Sequence, residues 1–129
     1  MKKPLHQHPA KSLKGQPFVR ASDSIWDEMS AGVRRKILAH DDAIMLVHVL
    51  FETDAIGPPH RHPHLQCTLV ESGVFDVTID GITQRLQAGD SFFVPTNALH
   101  GVIAVEAGKL IDSFTPMRQE FIDPPEDQT

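Results

Sequence analysis

The residues of this chain best suited to chemistry are its histidines. Along Gly57-Pro58-Pro59-His60-Arg61-His62-Pro63-His64-Leu65-Gln66, His60 and His62 stand two apart, so on an extended strand both point to one face. Gln66 can reach that face after the bend that Pro63 favours. A third imidazole, His100, ends the stretch Gly89-Asp90-Ser91-Phe92-Phe93-Val94-Pro95-Thr96-Asn97-Ala98-Leu99. Three imidazoles and one amide suit a single divalent transition metal, with Zn, Ni, Mn, Fe or Co all acceptable to such a set. Taken singly, each of these histidines could instead be a hydrogen-bonded core residue. His64 is a competing ligand, but it lies on the bend. His40 and His48 read as ordinary turn or strand histidines, and His6 and His8 as a solvated pair.

A second chemical group lies near the C-terminus. In Leu110-Ile111-Asp112-Ser113-Phe114 the alternation puts Leu110, Asp112 and Phe114 on one face and Ile111 and Ser113 on the other. If the first face is inward, Asp112 is a carboxyl in a partly apolar pocket, its pKa raised and suited to proton transfer. If the second is inward, Asp112 meets solvent. Alternation alone leaves both open. Arg118, taken alone, reads as a surface arginine near the chain end.

Strands must position these groups. Val33–Leu38 leads through a polar turn at 39–42 into Ile44–Phe51, a run apolar on both faces that fits a strand buried between two sheets. Gln66–Glu71, a turn at Ser72-Gly73, and Val74–Ile79 follow. Asp80-Gly81 is a hairpin turn of the kind needing positive φ. Thr83–Leu86, a turn at 88–90, Ser91–Val94, His100–Val105 and Lys109–Phe114 complete the set. Ser24–Met29, around Trp26, reads as a short turn or a single helical turn. Short, evenly spaced strands with Gly and Pro turns predict an all-β sandwich or barrel.

With 129 residues, 40% apolar and 22% charged, the chain has the size and composition of one soluble domain. The expected organisation is a flexible arm over 1–16, the folded domain over 17–122 and a tail over 123–129. A formal charge of −5 argues against nucleic-acid or anionic-membrane partners. Cys67 is the single cysteine; it excludes an internal disulfide and, within an apolar run, reads as a buried structural thiol. Neither a secretory leader nor a membrane-spanning run is expected, which makes the cytoplasm the default location.

The two histidine segments resemble the cupin superfamily in both of its motifs. HxH, three residues, Glu or Gln, six residues and Gly is matched by His60, His62, Gln66 and Gly73. Gly, five residues, Pro, one residue, usually Gly, two residues and His is matched by Gly89, Pro95 and His100, with Asn97 at the usual Gly. Asn tolerates positive φ best among the other residues. The resemblance implies a double-stranded β-helix (jelly-roll) barrel with one metal on His60, His62, Gln66 and His100. It also implies a homodimer, which would cover sheet edges. Many oxygenase cupins place Glu where this chain has Gln66. A neutral amide leaves the metal's full charge for Lewis-acid work, which favours isomerisation, ring opening or binding over oxidation.

A narrower likeness extends from about Gly32 to Phe121. Val33–Leu38, the His62-Pro63-His64-Leu65-Gln66 segment and the ending Asp112-Ser113-Phe114-Thr115-Pro116-Met117-Arg118-Gln119-Glu120-Phe121 resemble the pectin-degradation (KdgF-type) cupins. That family's activity is ring opening and ketonisation of 4,5-unsaturated uronates from pectin or alginate breakdown. By this resemblance Asp112 transfers the proton, Phe114 packs against the sugar acid, and Arg118 pairs with its carboxylate and orients it for the reaction. Leu65, where the family often has Glu, and the lack of Tyr are departures. Two other classes remain open: a metal-dependent dioxygenase of a small organic substrate, and a non-catalytic cupin that binds a sugar or small acid.

Overall fold

The computed structural model describes residues 13–122. His6, His8, the arm up to residue 12 and the tail over 123–129 lie outside the described residues. Of the stretch expected as an arm, Leu13 is buried and the Gly15 N–H donates to the His40 carbonyl at 2.8 Å.

A 3-10 turn at Ala21–Asp23 precedes eight strands: β1 Asp27–Ser30, β2 Val33–Asp41, β3 Ile44–Phe51, β4 Ile56–His60, β5 Leu65–Ile79, β6 Ile82–Gln87, β7 Ser91–Val94 and β8 His100–Thr115. A single helical turn, α1 (Gln119–Ile122), follows. All pairings are antiparallel, in the order β1-β2-β3-β8-β5-β6, with β4 also on β8 and β7 also on β5. The expected all-β barrel is what the chain forms.

The long strands β5 and β8 hold the two walls together. The first half of β8 pairs with β4 and the end of β5, and its second half pairs with β3 and the start of β5. Both strands bend where the ladder shifts, around Ser72-Gly73 and Ala107-Gly108. A Cβ on Gly73, which has φ 85°, would lie 2.6 Å from the Ala107 carbonyl oxygen, so only glycine allows this approach. The expected turn at Ser72-Gly73 is therefore a bulge inside one strand. The two segments expected over His100–Val105 and Lys109–Phe114 are likewise a single strand.

Three further expectations need correction. Ser24–Met29 forms neither a turn nor a helical turn throughout, because Asp27–Ser30 pairs with β2. The polar stretch 39–42 mostly continues β2, whose ladder absorbs the extra length in a register shift between Ile37 and His40. β3 is not buried on both sides: Met45, Val47 and Phe51 point into the barrel, whereas Ile44 is exposed and Leu46 half-buried on the outside. Among the described residues no second sheet covers that outer face.

Inside the barrel, Phe75 packs edge-on to Phe51 at 5.2 Å between centroids, amid Val33, Val70, Val77, Ala104 and Leu110. Ile37, Met45, Val47, Phe114, Met117 and Ile122 make a second cluster. Each fully buried side chain of this size contributes about 1.5–3 kcal/mol. The cross-strand rows explain where the polar groups fall. Ile37, Val47, Asp112 and Thr68 form one row across β2-β3-β8-β5, and Met45, Phe114 and Gln66 form the next.

Candidate metal centre and acid pocket

His60 ends β4 and His100 begins β8, where the two are register partners. His62 follows two residues after His60 in the link to β5. Ligand nitrogens of the three lie within 4.8 Å of one another. His62 and His100 are buried and His60 is exposed, so the cluster opens to solvent on the His60 side. Asn97, in the loop before His100, has φ 61°, the conformation its side chain tolerates best after glycine. Its N–H donates to the His62 carbonyl at 2.8 Å, which ties the two halves of the site together.

Each Nδ1 faces a backbone carbonyl: His60 that of Pro58 at 3.0 Å, His62 that of His64 at 3.1 Å, and His100 that of Ala98 at 2.9 Å. A carbonyl can only accept, so each Nδ1 carries the proton and each Nε2 presents a lone pair. Burial, then the Arg118 charge, push the His62 pKa down to about 4. Burial also lowers that of His100. Both rings therefore stay neutral near pH 7, as ligands must.

The donor set fits a cation. The His100 Nε2 is buried with no hydrogen-bond partner. The His62 Nε2 lies 3.1 Å from the Gln66 Oε1. The Gln66 amide nitrogen donates instead to the Thr68 Oγ1 at 2.9 Å and reaches the Asp112 Oδ1 at 3.4 Å. Two lone-pair atoms thus face each other in a buried place, an arrangement that a positive ion relieves. His60, His62 and His100 can hold a divalent metal, with the Gln66 oxygen beside them. His64 is half-buried with its ring 5.6 Å from that of His62, and it is outside the cluster. His40 and His48, in β2 and β3, are outside it too.

The inward face of β8 is the one carrying Leu110, Asp112 and Phe114, all buried, which decides what alternation left open. Asp112 accepts a 2.6 Å hydrogen bond from the Thr68 hydroxyl. Burial raises its pKa to about 6, with the Thr68 bond and the Arg118 and Arg35 charges pulling the other way. Phe114 lies edge-on to His62 at 5.7 Å and to Phe121 at 5.8 Å. Arg118 is buried rather than at the surface. Its Cζ is 5.0 Å from the Phe114 ring and 4.4 Å from the Phe121 ring, and its Nε donates to Glu120 at 2.6 Å. The segment from Arg118 to Phe121 is not a continuation of the strand. β8 ends at Thr115, the Thr115–Pro116 bond is cis, and Phe121 and Ile122 of α1 pack against the cluster of Ile37, Met45, Val47 and Phe114.

Three residues of this pocket escaped the sequence reading. Thr68 was detectable as the next inward position after Gln66 on a period-two strand. Arg35 sits between inward Val33 and Ile37, a charged residue at a core position. Phe121 takes part through α1, which no periodicity marks in so short a segment. Cys67, expected to be buried, is exposed, because Gln66 and Thr68 occupy the inward positions on either side of it.

Residues 47–114 match the Cupin_2 family, described as the cupin domain, and the chain belongs to that family. Among curated proteins it is similar to the pectin degradation protein KdgF of Dickeya dadantii, with 41% identity over 75% of this chain and 90% of that protein. Among solved structures it is similar to KdgF from Halomonas sp., with a TM-score of 0.77, 37% identity, and coverage of 81% of this chain and 96% of that one. An RmlC-like cupin from Shewanella frigidimarina matches with a TM-score of 0.81, 35% identity, and coverage of 84% and 98%.

Proposed function

We propose that the protein is a metal-dependent enzyme that opens 4,5-unsaturated uronates, the sugar acids released by pectin or alginate breakdown, to their linear keto form. The observation that carries this reading is the placement of Asp112: a buried carboxyl on the row between Val47 and Thr68, one inward step from Phe114 and joined to the metal cluster through Gln66. The likeness to two KdgF proteins supports it.

A divalent ion on His60, His62, Gln66 and His100 supplies Lewis-acid polarisation of a substrate oxygen. The chain's own residues do the rest. Both hydrogen bonds to Asp112 fall on Oδ1, which leaves Oδ2 for the substrate. As a carboxylate, Asp112 takes the proton of the anomeric hydroxyl. The bond from C1 to the ring oxygen breaks, giving an aldehyde at C1 and an enolate at C5. Asp112 then returns the proton to C4, and the enolate becomes a ketone. Phe114 offers an apolar surface to the ring, and Arg118 meets the carboxylate with the guanidinium nitrogens that Glu120 leaves open.

Loss of the conjugated ultraviolet absorbance of freshly generated 4,5-unsaturated galacturonate, above the spontaneous background, tests the proposal. Acceleration that a chelator removes supports it. A fully metallated protein without acceleration sinks it. D112N should lose roughly 10²–10⁴-fold in rate with metal content unchanged, and a retained rate would remove Asp112 from the chemistry.

The same reading includes a cytoplasmic homodimer. Leu65, Leu69 and Phe93 are 42%, 46% and 51% exposed on the outer wall, beside a groove lined by Leu46 and Ile111. A contiguous apolar face of this kind favours burial against a second copy. Sedimentation of wild type against L69E checks it; a wild type of monomer mass would sink the dimer, and equal dimer masses would place the interface on another face. Among the described residues no helix is long and apolar enough to cross a membrane.

A further inference from the structure

Arg35 is a charged side chain inside the barrel that ring opening leaves without a task. Its neighbours two positions away, Val33 and Ile37, are buried, so alternation along β2 turns Arg35 inward as well. Its Cζ lies 3.7 Å from the centroid of Phe121, the ring that Arg118 approaches at 4.4 Å. One aromatic ring from α1 thus seats two guanidinium groups that arrive from different parts of the fold.

Among the described residues Arg118 has Glu120 as its anion, whereas Arg35 pairs with no carboxylate. The Arg35 Nε is buried and has no hydrogen-bond partner. Among the described residues the acidic groups whose charge reaches it are Asp27, Glu120 and Asp112. Asp27 is its register partner on β1 without forming an ion pair. Glu120 is engaged with the Arg118 Nε, and Asp112 accepts from Thr68 and Gln66. A buried Arg35 N–H without an acceptor, beside a second guanidinium with which it shares no carboxylate, is unfavourable unless a further anion joins them. A carboxylate offers about four lone-pair directions, enough for two planar forks at once.

We infer that Arg35 and Arg118 together clamp the carboxylate of the substrate, and that Arg35 is the positioning residue that makes the site prefer acid sugars over neutral ones. The substrate class rests on the ring-opening proposal; the anion-binding pair does not.

The test separates the two. D-galacturonate and D-galactose differ in the carboxylate and neither is turned over, so their binding to the metal-loaded protein can be compared by calorimetry. Wild type should bind galacturonate more tightly than galactose. R35M should weaken galacturonate by about 10–100-fold, the range of a lost charged hydrogen-bond pair, and leave galactose within about twofold. R35K, which keeps the charge and loses the fork, should fall between. On an unsaturated uronate, KM should rise in R35M by a similar factor while kcat moves much less.

Galacturonate bound equally by wild type and R35M would overturn the clamp. Equal losses for both sugars would overturn it too, because they mark a merely structural role. If R35M does not fold, R35K decides alone: unchanged galacturonate affinity overturns the proposal. A wild type that prefers galacturonate through Arg35 but accelerates no ring opening would keep the clamp and sink the reaction.

Discussion

Thr68 and Asp112 face each other across the β5–β8 ladder, and the Thr68 hydroxyl donates to the Asp112 carboxylate at 2.6 Å. The same hydroxyl oxygen accepts from the Gln66 amide at 2.9 Å. A continuous donor chain therefore runs from the residue beside the histidine cluster to the acid, and it gives Gln66 and Asp112 fixed orientations.

Replacing Thr68 with valine keeps the shape and removes the middle of that chain. Asp112 loses its shortest hydrogen bond and the Gln66 amide loses an acceptor. Thermal unfolding should show a loss of about 1–3 kcal/mol. Turnover should fall while metal content stays at wild-type level. Unchanged turnover would mean that the orientation of Asp112 does not limit the reaction.

Gln66 performs two tasks that a carboxylate cannot combine. Its oxygen faces His62 and its nitrogen donates toward Thr68 and Asp112. Q66E should still bind metal, since oxygen ligands remain available, but it replaces a donor with a second negative group beside Asp112. Like charges resist joint ionisation, so the rate-controlling ionisation in the kcat–pH profile should move to higher pH, with a lower plateau. An unshifted profile would mean that Gln66 and Asp112 do not communicate.

Asp112 carries a stability cost with a definite pH window. Its pKa rises from 3.8 to about 6 on folding, so the folded state binds the proton more tightly than the unfolded chain. Stability is then greatest below pH 4 in this respect and falls as pH rises toward 6. Above that, the ionised carboxyl costs on the order of 2–3 kcal/mol. Metal-free D112N should be more stable than metal-free wild type at pH 8, with the gap closing toward pH 4. Denaturant titrations at the two pH values measure it, and a gap independent of pH would contradict the linkage.

How far the site could be read from sequence follows from how local each signal was. The HxH pair was legible because imidazoles two apart on an extended segment share a face, whereas His100 and Asn97 were legible through the second cupin motif that they match or depart from. Ser72-Gly73 read as a turn, since glycine there signals a break. That the break is a bulge depends on Ala107-Gly108 bending at the same level, a relation between distant segments. The Cys67 run hid its inward phase because the inward positions Gln66 and Thr68 are polar while Leu65 and Leu69 face out. Arg35 went unread although it stands two residues from both Val33 and Ile37, and its partner Phe121 comes from a helical turn far along the chain.

Metal should stabilise the folded state through His100, whose buried Nε2 has no partner in the protein. At free metal a hundredfold above Kd, linkage contributes about 2.7 kcal/mol. Added zinc or nickel should raise the melting temperature of wild type, chelator should reverse the shift, and H100A should respond far less to either. An equal response in H100A would place the ion elsewhere.

Cys67 is exposed on the outer wall while its neighbours on either side, Gln66 and Thr68, point to the His62 ring and to Asp112. The native chain therefore carries one attachment point for a spectroscopic label, a single strand's thickness from the reaction chamber. A nitroxide there would sense a paramagnetic ion such as Mn through the wall without any engineered substitution. In an assembly of two copies, the same label would report the separation between their outer walls.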